Sequence, residues 1–178
     1  MKTKNLITLL LLMTAVTSAA QSQDLRDIKL KSATDNSEFR LKKERGKFVA
    51  LHFLLKTECP FCIKHTRDYF TKAKTLPKVK QIFIKPDSEL EIQAWSKKLS
   101  SPDQAEFPIY RDPDATLAKL FKIPDGYRFH GQIVHYPATI LIGPDGKEVY
   151  RYVGKSNTDR LSFEQLLAKV NEFSKSKK

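Results

Sequence analysis

Two cysteines are all this chain has, and both fall in one six-residue stretch, TECPFC at residues 57–62. With no second pair, a closed structural zinc site, which takes four ligands, is not expected. Acid is scarce as well: 32 Lys and Arg stand against 20 Asp and Glu, a formal charge of +12. That surplus is spread along the chain instead of forming one arm. No aromatic–basic repeat or nucleic-acid motif goes with it, so no nucleic-acid partner is expected and the charge reads as a solvated surface. The chain has no internal repeat and no linker long enough to divide it. Beyond residue 20 no apolar run could cross a bilayer. What is present is enough for a core: 178 residues, 40% hydrophobic and 10% aromatic, suit one compact domain.

The first residues have a composition of their own. Lys2 and Lys4 precede an apolar stretch from Leu6 to Val16, followed by Ser18, Ala19 and Ala20. A charged start, a short apolar run and small residues form the pattern of a secretory signal peptide. Residues 1–20 are expected to be removed after Ala20, leaving 21–178 as a single domain with no stable membrane insertion. Retention as an N-terminal anchor is the alternative. No cysteine follows the run, so a lipid-modified N-terminus is not indicated. The expected location is outside the cytoplasm, where stable disulfides form, and a bacterial periplasm fits.

The rest of the chain alternates between two periodicities. DIKLKSATDNSEFRL reads as a hairpin or two short strands around a polar turn. Lys47 to Leu55, KFVALHFLL, is a nearly continuous apolar run, as in a strand buried on both faces. A helix is expected from Pro60 to about Lys74, then a strand KQIFIK. A helix SELEIQAWSKKL should follow, with Leu90, Ala94 and Trp95 on its buried side. FPIYRD reads as a short strand and DATLAKLFKI as a short helix. ATILIGPDGKEVYRYVG reads as two strands joined at Pro144-Asp145-Gly146. In the last helix Ser162 and Gln165 have capping-box spacing, and Phe163, Leu166, Leu167, Val170 and Phe173 keep the helical period. The alternation argues for an α/β sandwich around a mixed sheet.

The cysteine pair stands where a buried strand ends and a helix begins. Pro60 suits the first helical turn, which needs no N–H there. Cys59 then lies among free backbone N–H groups at the positive end of the helix dipole, which favours a thiolate. Cys62, one turn on, can reach a mixed disulfide formed at Cys59, as two-step thiol–disulfide exchange requires. A redox couple is the leading reading. A metal half-site and an inert local disulfide, which would close a very small loop, stay open.

Three stretches, GKFVALHFLLKTECPFC, FPIYRDPDATLAKLFKI and YPATILIGPDGKEVYRYVG, resemble the thioredoxin superfamily, and the resemblance runs from about Leu25 to Phe173. Within it the chain is similar to the secreted thiol–disulfide oxidoreductases and the redoxin, or peroxiredoxin-like (AhpC/TSA-type), proteins. The resemblance implies a thioredoxin-like three-layer α/β sandwich with a mixed central sheet flanked by helices. It implies a protein-disulfide reductase in which Cys59 attacks and Cys62 resolves, with no prosthetic group and no metal. Its partners would be protein thiol or disulfide substrates and a membrane or soluble electron donor. Pro137 matches the family's cis-proline, and Tyr136 before it would offer its backbone to an extended substrate segment, the two shaping the substrate groove.

Departures from that pattern matter too. Thioredoxins carry a buried acid six residues before the first cysteine, where this chain has Phe53. His52 would point to the other face of the strand and reads as a packed residue. Glu58 would raise the neighbouring thiol pKa, with Lys56 a possible counterweight. His65 and His130 read as solvated or locally satisfied. A peroxiredoxin-type thiol peroxidase is the second enzyme reading. It would place Cys62 at the peroxidatic position, but Cys59 then replaces the expected threonine, Leu55 the loop proline, and the expected arginine falls near Pro137. A Sco-like copper chaperone using Cys59, Cys62 and His135 is the third, since soft thiolates and imidazole suit Cu(I). Sco proteins space their cysteines one residue wider and lack the proline found here. His135 otherwise reads as a rim residue of the redox site.

Overall fold

A computed structural model describes residues 28–56, 59–99, 107–129 and 131–175. At its centre is a five-stranded mixed sheet. Its strands, in chain order, are β3 (Phe48–Phe53), β4 (Val79–Lys85), β5 (Ile109–Arg111), β8 (Ala138–Ile142) and β9 (Glu148–Val153), arranged β5-β4-β3-β8-β9. β3, β4 and β5 run parallel, whereas β8 is antiparallel to both β3 and β9. Every residue of β3 is buried, as its nearly continuous apolar run leads one to expect of a central strand covered on both faces.

Successive side chains of β3 feed two separate cores. On one face α1 (Pro60–Lys72), α2 (Glu89–Ser96) and α4 (Phe163–Lys175) pack Tyr69, Phe70, Ile92, Trp95, Leu166 and Val170 against Ala50 and Phe83. On the other face a small hairpin of β1 (Lys29–Lys31) and β2 (Glu38–Arg40), together with α3 (Thr116–Leu120), packs Leu30, Phe39, Leu117 and Ala118 against Leu51 and Phe53. Two helical or hairpin layers around one sheet make the expected three-layer sandwich. His52 and Phe53 part to opposite faces, as the pleat demands. No helix among the described residues is long and apolar enough to cross a membrane.

Several local expectations are corrected. In α2, Ile92, Trp95 and Ser96 are buried, while Leu90 is 77% exposed and Ala94 also faces out. The phase is set by a capping box in which Ser88 and Glu91 bond each other's backbone N–H. The helix expected over DATLAKLFKI shortens to Thr116–Leu120. The Asp112 carboxylate takes the Leu117 and Ala118 N–H groups, and Ala115 and Lys122 adopt positive φ at either end. The polar insertion PDGYRFHGQ contributes to a second hairpin, β6 (Asp125–Phe129) with β7 (Gln132–His135). Its register slips between Asp125 and Tyr127, at Gly126, where the ring and amide of Tyr136 approach closely. In the last helix the expected capping box forms between Ser162 and Gln165.

Candidate active site

β3 delivers the chain to the top of the sheet and α1 begins with Pro60, so Cys59 is the residue that caps the helix. Its sulfur accepts the Cys62 N–H at 3.1 Å, a bond that sulfur takes in place of the oxygen of an ordinary cap. Cys59 is partly exposed and Cys62 is 0% exposed, and both are free thiols. Phe61, between them, is 46% exposed. The Leu55 N–H donates to the Cys62 sulfur at 3.3 Å. Thr57 and Glu58 lie outside the described residues, as does His130.

An arginine that no motif announced completes the pair. Arg160, in the loop between β9 and α4, donates from Nη2 to both sulfurs at 3.1 Å each. It stands 101 residues from Cys59, and nothing in NTDRLS marks it. The loop is pinned on both sides of it. Asp159 accepts from the Lys155 N–H at 2.8 Å and from the Tyr152 hydroxyl, while Tyr69 donates to the Leu161 carbonyl at 3.3 Å. Gly154 is obligatory here, because a Cβ on it would fall 2.2 Å from the Asp159 carbonyl oxygen.

Behind Cys62 lies a buried charge pair that sequence reasoning also missed. Lys85, at the end of β4, is fully buried. It lies 3.2 Å from the Asp87 carboxylate and 4.4 Å from the Trp95 ring centroid, and donates to the Leu55 carbonyl. A buried lysine ending an apolar strand leaves no signal in hydrophobic periodicity.

These charges set the state of the thiols. Burial pushes the Cys62 thiol up. The hydrogen bond from Cys59, the charges of Lys85 and Arg160 and the Leu55 N–H outweigh that and bring it down to about 6. Cys59 is pushed up, first by giving its hydrogen bond to Cys62, then by burial and by the Cys62 charge. The pair therefore rests with one proton and one negative charge between two sulfurs. Tyr127, on the second hairpin, packs with Cys59 against the core. Burial and the charge on the two sulfurs push its phenol up to about 12, so it stays neutral.

Tyr136 and Pro137 are placed differently from expectation. Among the described residues no peptide bond is cis, so the Tyr136–Pro137 bond is trans. The Tyr136 amide is not offered outward, since it donates to the Pro124 carbonyl at 3.0 Å, and the Tyr136 carbonyl accepts from His135 Nδ1 at 2.7 Å. The second hairpin has taken the backbone groups that a substrate strand would use. Pro137 is buried in a small crevice shared with Arg160, His65, Tyr152 and Leu161, and its carbonyl accepts from Gly154 N–H at 2.8 Å. It therefore flanks the arginine loop.

The three described histidines, His52, His65 and His135, are drawn inward. His52 bonds Gln81 at 2.8 Å and Thr139 at 3.3 Å and stacks on Phe83, and burial lowers its pKa to about 4. His65 is buried against Tyr69 rather than solvated, and burial lowers its pKa well below the usual range. His135 packs edge-on to Phe53 and lines a cleft of about 290 Å³ with Lys56 and Ile133. Among the described residues no three His, Cys, Asp or Glu side chains converge, so His135 is not brought to the two cysteines and the copper arrangement is not formed.

Residues 22–151, well over half of the chain, match the model of the AhpC/TSA family. The chain belongs to the AhpC/TSA family. No curated protein matches it in sequence. Solved structures of similar fold surround this AhpC/TSA chain. The bacterioferritin comigratory protein of Xanthomonas campestris is 18% identical with a TM-score of 0.67, over 84% of this chain and 93% of that one. A 2-Cys peroxiredoxin of Plasmodium vivax is 19% identical with a TM-score of 0.69, over 84% and 93%. The exposed lipoprotein thioredoxin of Streptococcus pneumoniae is 22% identical with a TM-score of 0.63, over 82% and 98%. Family and fold together make this AhpC/TSA chain a thiol-based redox protein of the thioredoxin superfamily.

Proposed function

We propose that this protein is a thiol–disulfide oxidoreductase that reduces protein disulfides through Cys59 and Cys62. One observation carries the reading: a reachable sulfur caps a helix, a buried sulfur lies one turn on, and one guanidinium holds both. Cys59 attacks a substrate disulfide and forms a mixed disulfide, releasing one substrate thiol. Cys62 then attacks Cys59 Sγ, releasing the second. Two electrons pass to the substrate and the protein is left with a Cys59–Cys62 disulfide. Phe61, exposed between the two cysteines, supplies an apolar surface for the substrate, with the partly buried Tyr136 proposed to extend it, and Pro137 backs the arginine loop.

The protein acts outside the cytoplasm after loss of residues 1–20, and a membrane or soluble dithiol donor returns it to the reduced state. The leader pattern and the oxidising compartment it implies support this part of the reading. The test is turnover of a disulfide-bonded protein by the chain lacking residues 1–20, with a dithiol as reductant. Activity lost in Cys59→Ser is expected; full activity in that variant would sink the assignment.

A peroxidase is the second reading. Its specific support is the lowered pKa of Cys62 beside an arginine, together with the alkyl peroxide reduction described for the Xanthomonas campestris relative. The burial of Cys62 weighs against it. Turnover of hydrogen peroxide exceeding that of protein disulfides would reverse the order of the two.

A further inference from the structure

Resting on the disulfide-exchange reading, we propose that Arg160 is a third catalytic residue, a fixed bridge that lets negative charge pass from one sulfur to the other during the reaction. The problem it solves is geometric. The sulfur that can reach a substrate is Cys59, but the better-stabilised charge belongs on Cys62, which is sealed in the core. Attack by Cys59 needs the charge outside; resolution by Cys62 needs it inside. A cation fixed at either sulfur alone would help one step and hinder the other. Arg160 Nη2 is 3.1 Å from each, so the guanidinium stabilises both charge positions without moving.

The Cys59 proton passes along its hydrogen bond to Cys62, leaving the thiolate on Cys59. That thiolate attacks the substrate disulfide; one S–S bond forms, one breaks, and a substrate thiolate leaves. This leaving thiolate takes the proton now on Cys62. The Cys62 thiolate attacks Cys59 Sγ, and the second substrate thiolate leaves to be protonated by solvent. Arg160 faces a thiolate in both attacking states and no anion once the disulfide has closed.

The surroundings are built to keep the bridge still. Gly154 permits the close pass of the loop, Asp159 ties its start to Tyr152, and Tyr69 holds Leu161 on the other side. The neighbouring His65 and His52 are neutral, so no second cation competes for the sulfurs from that side. Pro137 fills the crevice against the arginine and brings no N–H.

The test is a pH titration of thiolate ultraviolet absorbance in the single-cysteine variants Cys59→Ser and Cys62→Ser, each with Arg160 and with Arg160→Met. It needs no substrate, so it is independent of whether protein disulfides are the true target. A bridge predicts that Arg160→Met raises the midpoint in both variants by about 1–3 units, the effect of an adjacent opposite charge. A shift in only one variant, or in neither, overturns the inference. Arg160→Lys, which keeps the charge, should recover most of both shifts. Identical behaviour of the Lys and Met variants would make the role structural and also overturn it. In the two-cysteine protein, Arg160→Met should slow both formation and resolution of the mixed disulfide at least tenfold. If the unmodified protein reduces no disulfide while the titrations shift as expected, the activity assignment fails and the bridge stands.

Discussion

Replacing Lys85 by methionine is the sharpest structural perturbation of the site. The side chain is fully buried, its ammonium lies 3.2 Å from the equally buried Asp87 carboxylate, and it also donates to the Leu55 carbonyl and covers the Trp95 ring. Methionine keeps the length of the apolar stem but removes the charge. Asp87 then loses the buried ammonium beside it, and breaking a buried pair in this way costs about 3–5 kcal/mol. Urea unfolding of the reduced protein measures it. The double variant Lys85→Met with Asp87→Asn removes both charges, so its loss should be at least about 2 kcal/mol smaller than the sum of the two single losses. A loss under about 1 kcal/mol in Lys85→Met, or strictly additive losses, would mean that Lys85 and Asp87 are not a coupled buried pair. The same variant should raise the Cys62 pKa, because Lys85 is one of the charges holding it at about 6.

Other outcomes are expected. Cys62→Ser should accumulate mixed disulfides on Cys59, since no thiol remains to release them, and Cys59→Ser should accumulate none; mass spectrometry of trapped peptides distinguishes them. Gly154→Ala forces the loop carrying Arg160 aside and should slow exchange towards the level of Arg160→Met while leaving α1 intact by circular dichroism. His52 is neutral in the fold with a pKa of about 4 against an ordinary 6.5. The unfolded chain binds a proton below 6.5 that the folded chain refuses, so stability falls with pH from 6.5 to 4, by on the order of 3 kcal/mol. A His52→Gln variant should show a flatter stability profile across that window, and an unchanged slope would count against the assignment.

Much of the fold was legible because its signals are local or periodic. The nearly continuous apolar run at Lys47–Leu55 read as a strand buried on both faces, and Ser162 with Gln165 marked the start of the last helix. The positions of Cys59 and Cys62 followed from Pro60 and from the strand before it. The phase of α2 was misread because Leu90 and Ala94 are apolar on a face that the Ser88 cap turns to solvent. The residues around the sulfurs were hidden for another reason. Arg160 reaches them through a loop closed over about a hundred residues, and Lys85 sits where an apolar side chain is the ordinary choice. The trans bond at Pro137 was missed because the second hairpin, which takes up the backbone of Tyr136, replaced what the sequence offered only as a polar insertion.

Which sulfur meets the substrate, and what that substrate is, separates a reductase from a peroxidase. A single-turnover reaction of the reduced, leaderless protein measures it directly, with a disulfide-bonded protein and hydrogen peroxide offered in competition at equal concentration. The expected result is a mixed disulfide on Cys59 that resolves to the Cys59–Cys62 disulfide, with the protein disulfide consumed first. A sulfenic acid at Cys62 formed ahead of any mixed disulfide would contradict it and establish the peroxidase instead.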